Sequence, residues 1–237
     1  MNKALDLNSI LIRNSYPGRG IITGLSEDGT KALAAYFIMG RSENSRNRIF
    51  SKTEDGIRTE AFIPEKLSDP SLIIYHPVRR YKNKIVITNG DQTDTIRDGL
   101  EKGISFEESL MSRKFEPDEP NFTPRISALL DFDGDFSMKM SILKSDEGDP
   151  SSVLRYTFDY EKPKRGSGRF IHTYMSDGNP LPSFSGEPEK VKLGNDLGEF
   201  TDLIWESLDF DNKISLFTLS RDIRTGREEE KIINKNK

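Results

Sequence analysis

No cysteine occurs among the 237 residues, which excludes disulfides, thiolate nucleophiles and cysteine-ligated zinc. Histidine is nearly as scarce. His76 and His172 are the only two, too few for a histidine-rich metal site. No apolar run approaches the ~20 residues that span a bilayer, and Met1 to Ser9 has no apolar signal core. The chain therefore reads as cytoplasmic, with no membrane partner. Positive charge is not in excess either. A net charge of −4 argues against a nucleic-acid partner held by a basic field. The common phosphate loops are missing: there is no G-x-x-x-x-G-K-[ST], and no G-x-G-x-x-G after a strand. Any phosphate must be held by discrete side chains and loop amides. Asp131-Phe132-Asp133-Gly134-Asp135 lacks the glycine and glutamate that complete a calcium loop, and reads as a hairpin turn.

Against these absences stands one stretch dense in donors, Gly40 to Arg48. It carries Arg41, Arg46 and Arg48, two serines, two asparagines and no apolar residue. It follows the apolar run Ala32 to Met39 and precedes Ile49-Phe50, so it sits where a strand ends. Arginine offers a planar fork of N–H groups suited to phosphate or carboxylate. By composition alone, a solvated connection would look the same.

Turn chemistry organises the rest. Asp28-Gly29, Asp55-Gly56 and Asp133-Gly134 each lie between short apolar runs and mark hairpins. The strands expected around them are 20–25 with 31–39, 49–53 with 57–63, and 125–132 with 136–143. Further strands are expected at 71–75, 84–88, 153–160, 169–174 and 213–219. Helices are expected over 91–102, capped by Thr93, Asp94 or Thr95, and over 105–114, where Ser105 and Glu108 form a capping-box pattern. Leu197, Phe200, Leu203, Ile204 and Leu208 keep a helical period over 196–208. Residues 1–15 read as a helical or irregular lead-in, 175–188 as a long Pro/Gly/Ser loop, and the charged tail after Arg224 as frayed. Hairpin joining implies antiparallel sheets, and helices need a sheet face to cover. The fold class expected is α+β, a layered sandwich. One domain over 16–224 follows an N-terminal extension, 1–15, and precedes a charged tail, 225–237.

Two further stretches invite chemistry. In Thr88 to Thr95 a strand runs through Asn89-Gly90 into a helix start, whose unpaired amides suit anions. In Glu116 to Arg125 three prolines hold Asp118, Glu119, Asn121 and Thr123 on a stiff connection. Rigid placement suits a catalytic shell as well as a stiff surface loop. The basic loop Lys162 to Arg169 could hold phosphate or be a solvated hairpin connection. His76 is a candidate for catalysis by residue type, but no partner is evident in the sequence.

Taken in order, Gly18-Arg19-Gly20, Arg41-Ser42 with Asn47-Arg48, Tyr75, Thr88-Asn89-Gly90 with Thr93-Asp94-Thr95, Asp118-Glu119 with Asn121 and Thr123-Pro124-Arg125, and more weakly Ile171 with Thr173-Tyr174, resemble the stand-alone, archaeal-type IMP cyclohydrolase family. The resemblance spans roughly residues 16–220. It implies a four-layer αββα sandwich of antiparallel sheets, N-terminal-nucleophile-hydrolase-like. It also implies closure of 5-formamidoimidazole-4-carboxamide ribonucleotide to IMP with loss of water, without a cofactor or metal. The implied catalytic residues are Arg41, Tyr75 and Glu119. The implied substrate-binding residues are Arg19, Arg48, Asn89, Gly90, Thr93, Asp94, Asn121, Thr123 and Arg125. A purine ribonucleotide substrate and a homo-oligomer complete what the family implies. The chain departs from the pattern in the residues before Gly18 and in a Pro/Gly-rich insertion around 179–188. Two other functions remain open on the sequence, a non-catalytic purine-nucleotide-binding protein and an amidohydrolase of the same fold. The second needs a nucleophile freed at the N-terminus, and Met1-Asn2 does not expose one.

Overall fold

In the computed structural model, which describes residues 4–67, 70 and 72–236, hairpins generate two sheets. Asp28 accepts from Ser26 Oγ (2.7 Å) and the Thr30 amide (2.9 Å), closing the turn between β1 (Arg19–Leu25) and β2 (Lys31–Met39). β10 (Ser167–His172), β11 (Glu189–Lys192), β12 (Lys213–Asp222) and β13 (Glu228–Asn234) complete this sheet in the order β11-β10-β1-β2-β12-β13. The second sheet follows chain order: β3 (Arg48–Lys52), β4 (Gly56–Ala61), β5 (Val78–Tyr81), β6 (Lys84–Thr88), β7 (Arg125–Asp131), β8 (Ser137–Asp146) and β9 (Asp149–Tyr160). Every named strand pairing is antiparallel.

Alternation along each strand sorts the core into three slabs. Ile21, Ala34, Tyr36 and Ile38 of the first sheet meet Phe50, Ile85, Ile87, Ile126, Ala128 and Met140 of the second. The opposite faces of the same strands carry helices. Ile22, Leu33 and Phe37 pack against Leu7 and Leu11 of α1 (Leu7–Arg13) and Phe200 and Ile204 of α5 (Leu197–Ser207). Val86, Leu129 and Leu143 pack against Ile96 of α3 (Gln92–Glu101) and Phe106 and Leu110 of α4 (Phe106–Leu110). The order across the molecule is helix, sheet, sheet, helix. Each fully buried Ile, Leu or Phe contributes ~1.5–3 kcal/mol, so the inter-sheet slab dominates stability. No helix among the described residues is long and apolar enough to cross a membrane.

Several local expectations need correction. Residues 72–74 form a turn, with the amides of Ile73 and Ile74 donating to Pro70 O, and the next strand begins at Val78. Ser71, the first residue of the expected strand, lies outside the described residues. The lead-in, expected as helical or irregular, takes the helical alternative, capped by Asp6 on the Ser9 amide. The second helix stops at Leu110, four residues early, though its capping box is present. Helix α3 has Asp91 at its N-cap without a side-chain cap bond, and Thr93 turns inward to Thr88 (2.6 Å). The loop after Met175 ends in β11. The charged tail is edge strand β13, where Glu228 and Glu230 find Arg80, Arg221 and Lys52 on neighbouring strands.

Strand contact at Gly56 is close enough to test. A Cβ built there would lie 1.9 Å from the carbonyl oxygen of Val78 on the adjoining strand. Gly56→Ala is expected to push β4 from β5 and lower stability by ~1–3 kcal/mol, as overpacking does. Denaturant melts check this, and an unchanged midpoint would refute the close fit.

Candidate active site

The inter-sheet face turns polar at one end of the sandwich. Arg19 lies two residues before Ile21, Tyr36 two before Ile38, and Arg48 two before Phe50, so alternation aims all three between the sheets. Register brings their strand ends together. Arg19 pairs with Ile38, Gly20 with His172, and Arg48 with Ala61, the last residue of β4. Tyr75, just ahead of β5, shares a buried 2.8 Å hydrogen bond between its hydroxyl and that of Tyr36. Gly18 explains the glycine of the Gly-Arg motif. Its φ is +74, and a Cβ there would lie 2.3 Å from Thr173 Oγ1 and 2.5 Å from the Tyr174 ring.

The connection from α4 to β7 closes this end and brings in acids. Glu116 is 3% exposed. Burial pushes its pKa up to about 7, with Asp118 adding to the rise and Arg19, Arg125 and Arg48 opposing it. Burial opposes the Arg19 cation, yet Glu116 foremost outweighs this and raises its pKa. The Arg48 pKa is lowered, by burial first and by Arg19 second. Arg48 is fully buried; its Nε donates to Ser45 O (2.8 Å), whereas Nη1 has no acceptor among the described residues. Arg19 Nε and Arg125 Nε are likewise buried without an acceptor. A buried donor left unpaired costs ~1–3 kcal/mol. Arg48 Nη1 and Arg19 Nε, two such donors at the inter-sheet end near a carboxylate of near-neutral pKa, suit an anionic, oxygen-rich ligand that exchanges protons. Tyr36 and Tyr174 carry pKa values raised by burial, so their hydroxyls act as neutral hydrogen-bonding groups.

A family profile for IMP cyclohydrolase-like protein matches residues 16–226, most of the chain. The chain belongs to that family. Among its relatives, the IMP cyclohydrolase of Methanopyrus kandleri is 34% identical over 171 residues, covering 67% of this chain and 75% of the relative. That of Methanococcus aeolicus is 26% identical over 186 residues, or 62% and 89%. That of Methanosphaera stadtmanae is 27% identical over 163 residues, or 67% and 73%. The span matching the IMP cyclohydrolase-like family contains the whole polar cluster, from Tyr16 to Tyr174, and omits α1 and β13.

Within this IMP cyclohydrolase-like fold the residues singled out from sequence separate into three groups. Arg19, Arg48 and Tyr75 lie in the buried cluster, and Arg125 acts on Glu116 from the helix side of its sheet. Asn89, Gly90, Thr93, Asn121 and Thr123 build the frame around it. Asn89 Oδ1 accepts from the Ile126 amide (2.8 Å) and Gln92 Nε2 (3.0 Å), and its Nδ2 donates to Pro124 O (2.9 Å). Gly90 leaves room for Arg125, whose Nη1 would be 2.4 Å from a Cβ there. Arg125 in turn donates to Gln92 Oε1 (2.7 Å) and pairs with Asp91 (2.8 Å). Thr123 bonds Asp118 and the Tyr174 hydroxyl, and Asn121 Oδ1 accepts from the Leu181 amide (3.0 Å).

The third group stands outside. Glu119 is exposed, and Asp94 pairs with Arg79 (2.9 Å) beside His76 (3.8 Å). Arg41 lies at the rim, 4.9 Å over the Tyr16 ring, and pairs with Asp177 (2.5 Å) and Gly178 O (3.1 Å). Tyr16 stacks on Tyr174, so Arg41 touches the cluster through two rings. Arg46 donates to Gly40 O and is exposed. Glu116, Tyr36 and Tyr174 were not singled out as site residues. For Tyr36 a signal existed: it is the lone hydroxyl in an apolar strand.

Proposed function

We propose that the chain closes 5-formamidoimidazole-4-carboxamide ribonucleotide to IMP with loss of water. The observation that carries this is the buried set Arg19, Arg48 and Glu116 beside the Tyr36–Tyr75 hydroxyl pair, in a chain of this family. In the reaction the carboxamide nitrogen attacks the formyl carbon. A C–N bond forms, the carbonyl electrons move to oxygen, and nitrogen loses a proton as oxygen gains one. The hydroxyl then leaves as water, the formamide nitrogen gives up its proton, and a C=N bond closes the ring. Both reacting groups belong to one molecule, so the protein mainly holds a near-attack conformer. A carboxyl group titrating near neutrality can take the nitrogen proton and return it to the departing oxygen. We assign that role to Glu116. Arg48 Nη1 and Arg19 Nε are assigned to the developing oxyanion. The Tyr36–Tyr75 pair orients the carboxamide. Protons alone move, so no cofactor is required.

The 5′-phosphate is the most hydrated part of the substrate and belongs at the rim, where we assign Arg41 to it. Arg41→Ala is expected to raise KM, or the Kd for IMP, by ~10–100-fold, the equivalent of one or two lost charged hydrogen bonds. Unaltered affinity would remove Arg41 from this role. Family resemblance further suggests a homo-oligomer, which light scattering reads directly.

Product analysis tests the reading. Purified protein given the formamido nucleotide is expected to yield IMP, followed by ultraviolet absorbance and mass. Release of formate would indicate hydrolysis of the amide by an amidohydrolase. Binding of IMP without turnover would indicate a non-catalytic nucleotide-binding protein.

A further inference from the structure

The other end of the sandwich holds a second concentration of cations. The connection 161–166 crosses there from β9 of one sheet to β10 of the other, far along the strands from Glu116. Register marks the distance: Tyr160 pairs with Met138 and Gly168 with Gly24, whereas the active-site end is marked by His172 and Leu143. A cleft of about 230 Å³ opens at this connection, lined by Tyr160, Lys162, Lys164, Arg169 and Lys190 among others, with Glu161 the single acidic residue in its lining.

The cations are poorly neutralised. None of the four belongs to an ion pair among the described residues. Of the acids nearby, Asp159 pairs with Lys139 (3.1 Å) and Glu189 faces His172 (3.4 Å), while Glu187 stands beside Tyr160 without forming an ion pair to any of the four. Arg169 lies 4.7 Å over the Tyr160 ring and donates through one nitrogen to Pro188 O (3.2 Å), which fixes its plane. Lys162 and Lys164 flank Pro163, whose ring stiffens the turn that presents them. Most telling is the register between β10 and β11, which sets Arg169 directly opposite Lys190. Like charges facing each other across strands destabilise a sheet, and an anion held between them reverses that cost.

We propose that this cleft is a second anion site, separate from the nucleotide site, that takes a small phosphorylated anion of the pyrophosphate class. The volume falls below the ~300–1,000 Å³ of pockets that enclose drug-sized molecules, which favours a compact polyanion over a nucleotide. One planar arginine and three mobile ammonium groups match several phosphate oxygens at once. Because the cleft joins the two sheets, its ligand ties them at the end remote from catalysis.

Calorimetric titration of the full chain with pyrophosphate, at ~0.15 M ionic strength to screen loose surface attraction, provides the test. The native chain and Arg41→Ala, which removes the cation assigned to the substrate phosphate at the nucleotide site, are both expected to bind one equivalent. Combined Lys162→Ala, Lys164→Ala and Lys190→Ala is expected to weaken binding at least ~10-fold while leaving nucleotide turnover unchanged. Lys190→Glu gives Arg169 an opposite charge across the strands, and is expected to melt higher without pyrophosphate while binding it more weakly. Equal binding by the triple variant overturns the proposal. So does competition by saturating IMP, loss of binding in Arg41→Ala, or a lower melting temperature for Lys190→Glu.

Discussion

Glu116→Gln is expected to lower kcat by ~10²–10⁴-fold, the range that a positioned general acid–base group contributes, with KM for the formamido nucleotide changing far less. Glutamine keeps the shape and the hydrogen bonds but cannot carry a proton between nitrogen and oxygen. The same variant carries a stability signature. Burial holds the Glu116 pKa at about 7 in the fold, above its usual carboxylate value. A carboxyl with a raised folded pKa contributes full stability below its unfolded pKa, and loses it as pH rises through the folded value. The native chain should therefore lose on the order of 3 kcal/mol between about pH 4.5 and pH 8 from this group alone. Glu116→Gln should lack that slope, because it stays neutral throughout. Urea melts at several pH values read the difference. Identical pH slopes in the two proteins, together with undiminished kcat, would show that Glu116 is neither strained by ionisation nor used in turnover.

Arg48→Met carries the second large effect. Arg48 is the one fully buried arginine of the cluster, and its Nη1 has no acceptor among the described residues. A donor aimed at developing negative charge in a site that excludes water is worth ~10²–10³ in kcat. The loss should appear in kcat more than in IMP affinity if the oxyanion is its target. Stability should move little, or rise. The lowered pKa of Arg48 reports that holding its charge there is unfavourable in the free protein, and replacing a buried charge by an apolar chain of similar length is often neutral or stabilising. A variant with native kcat would contradict the assignment. A variant that fails to fold would contradict the view that this charge is held for function.

The two results would share a physical cause. Two arginines occupy positions that alternation would otherwise give to apolar side chains, and a carboxyl of raised pKa is buried near them on the connection from α4 to β7. Arg19 continues the row of Ile21, and Arg48 the row of Phe50. The hydrophobic slab continues through Ile38 and Ile57 and holds these strands in register, so the polar end inherits a rigid frame. The outer frame is also fixed by hydrogen bonds through both amide atoms of Asn89, whose side chain joins the end of β6 to the start of β7.

Much of this was legible in the sequence. Asp-Gly turns between apolar runs marked the hairpins; Gly29 and Gly134 take the positive φ that such turns favour, whereas Gly56 opens β4 and is required by the close approach of Val78 O. The layered α+β sandwich followed from hairpins that need covering helices, and the family resemblance implied its αββα order. The failures have specific reasons. β13 is rich in Glu and Lys, and its pairing depends on Arg80 and Lys52, which lie far away in the chain, as well as on Arg221 of the adjoining strand. Residues 72–74 have strand-like composition, but Pro70 and the short link to Thr59 fold them into a turn. Among Glu116, Asp118 and Glu119 no period says which acid faces inward, since a proline-rich connection has none. The structure buries Glu116 and exposes Glu119. Arg41 and Arg48 look alike in a polar stretch. Only the start of β3 at Arg48, in step with Phe50, sends one inward while the other stays at the rim.

A crystal structure with IMP bound tests the central claim most directly. The base is predicted between the sheets, with Arg48 Nη1 and Arg19 Nε within hydrogen-bonding distance of its oxygen or ring nitrogens, Glu116 beside the newly closed ring, and the phosphate at the rim near Arg41. IMP seated elsewhere, with Arg48 and Glu116 untouched, would contradict the account.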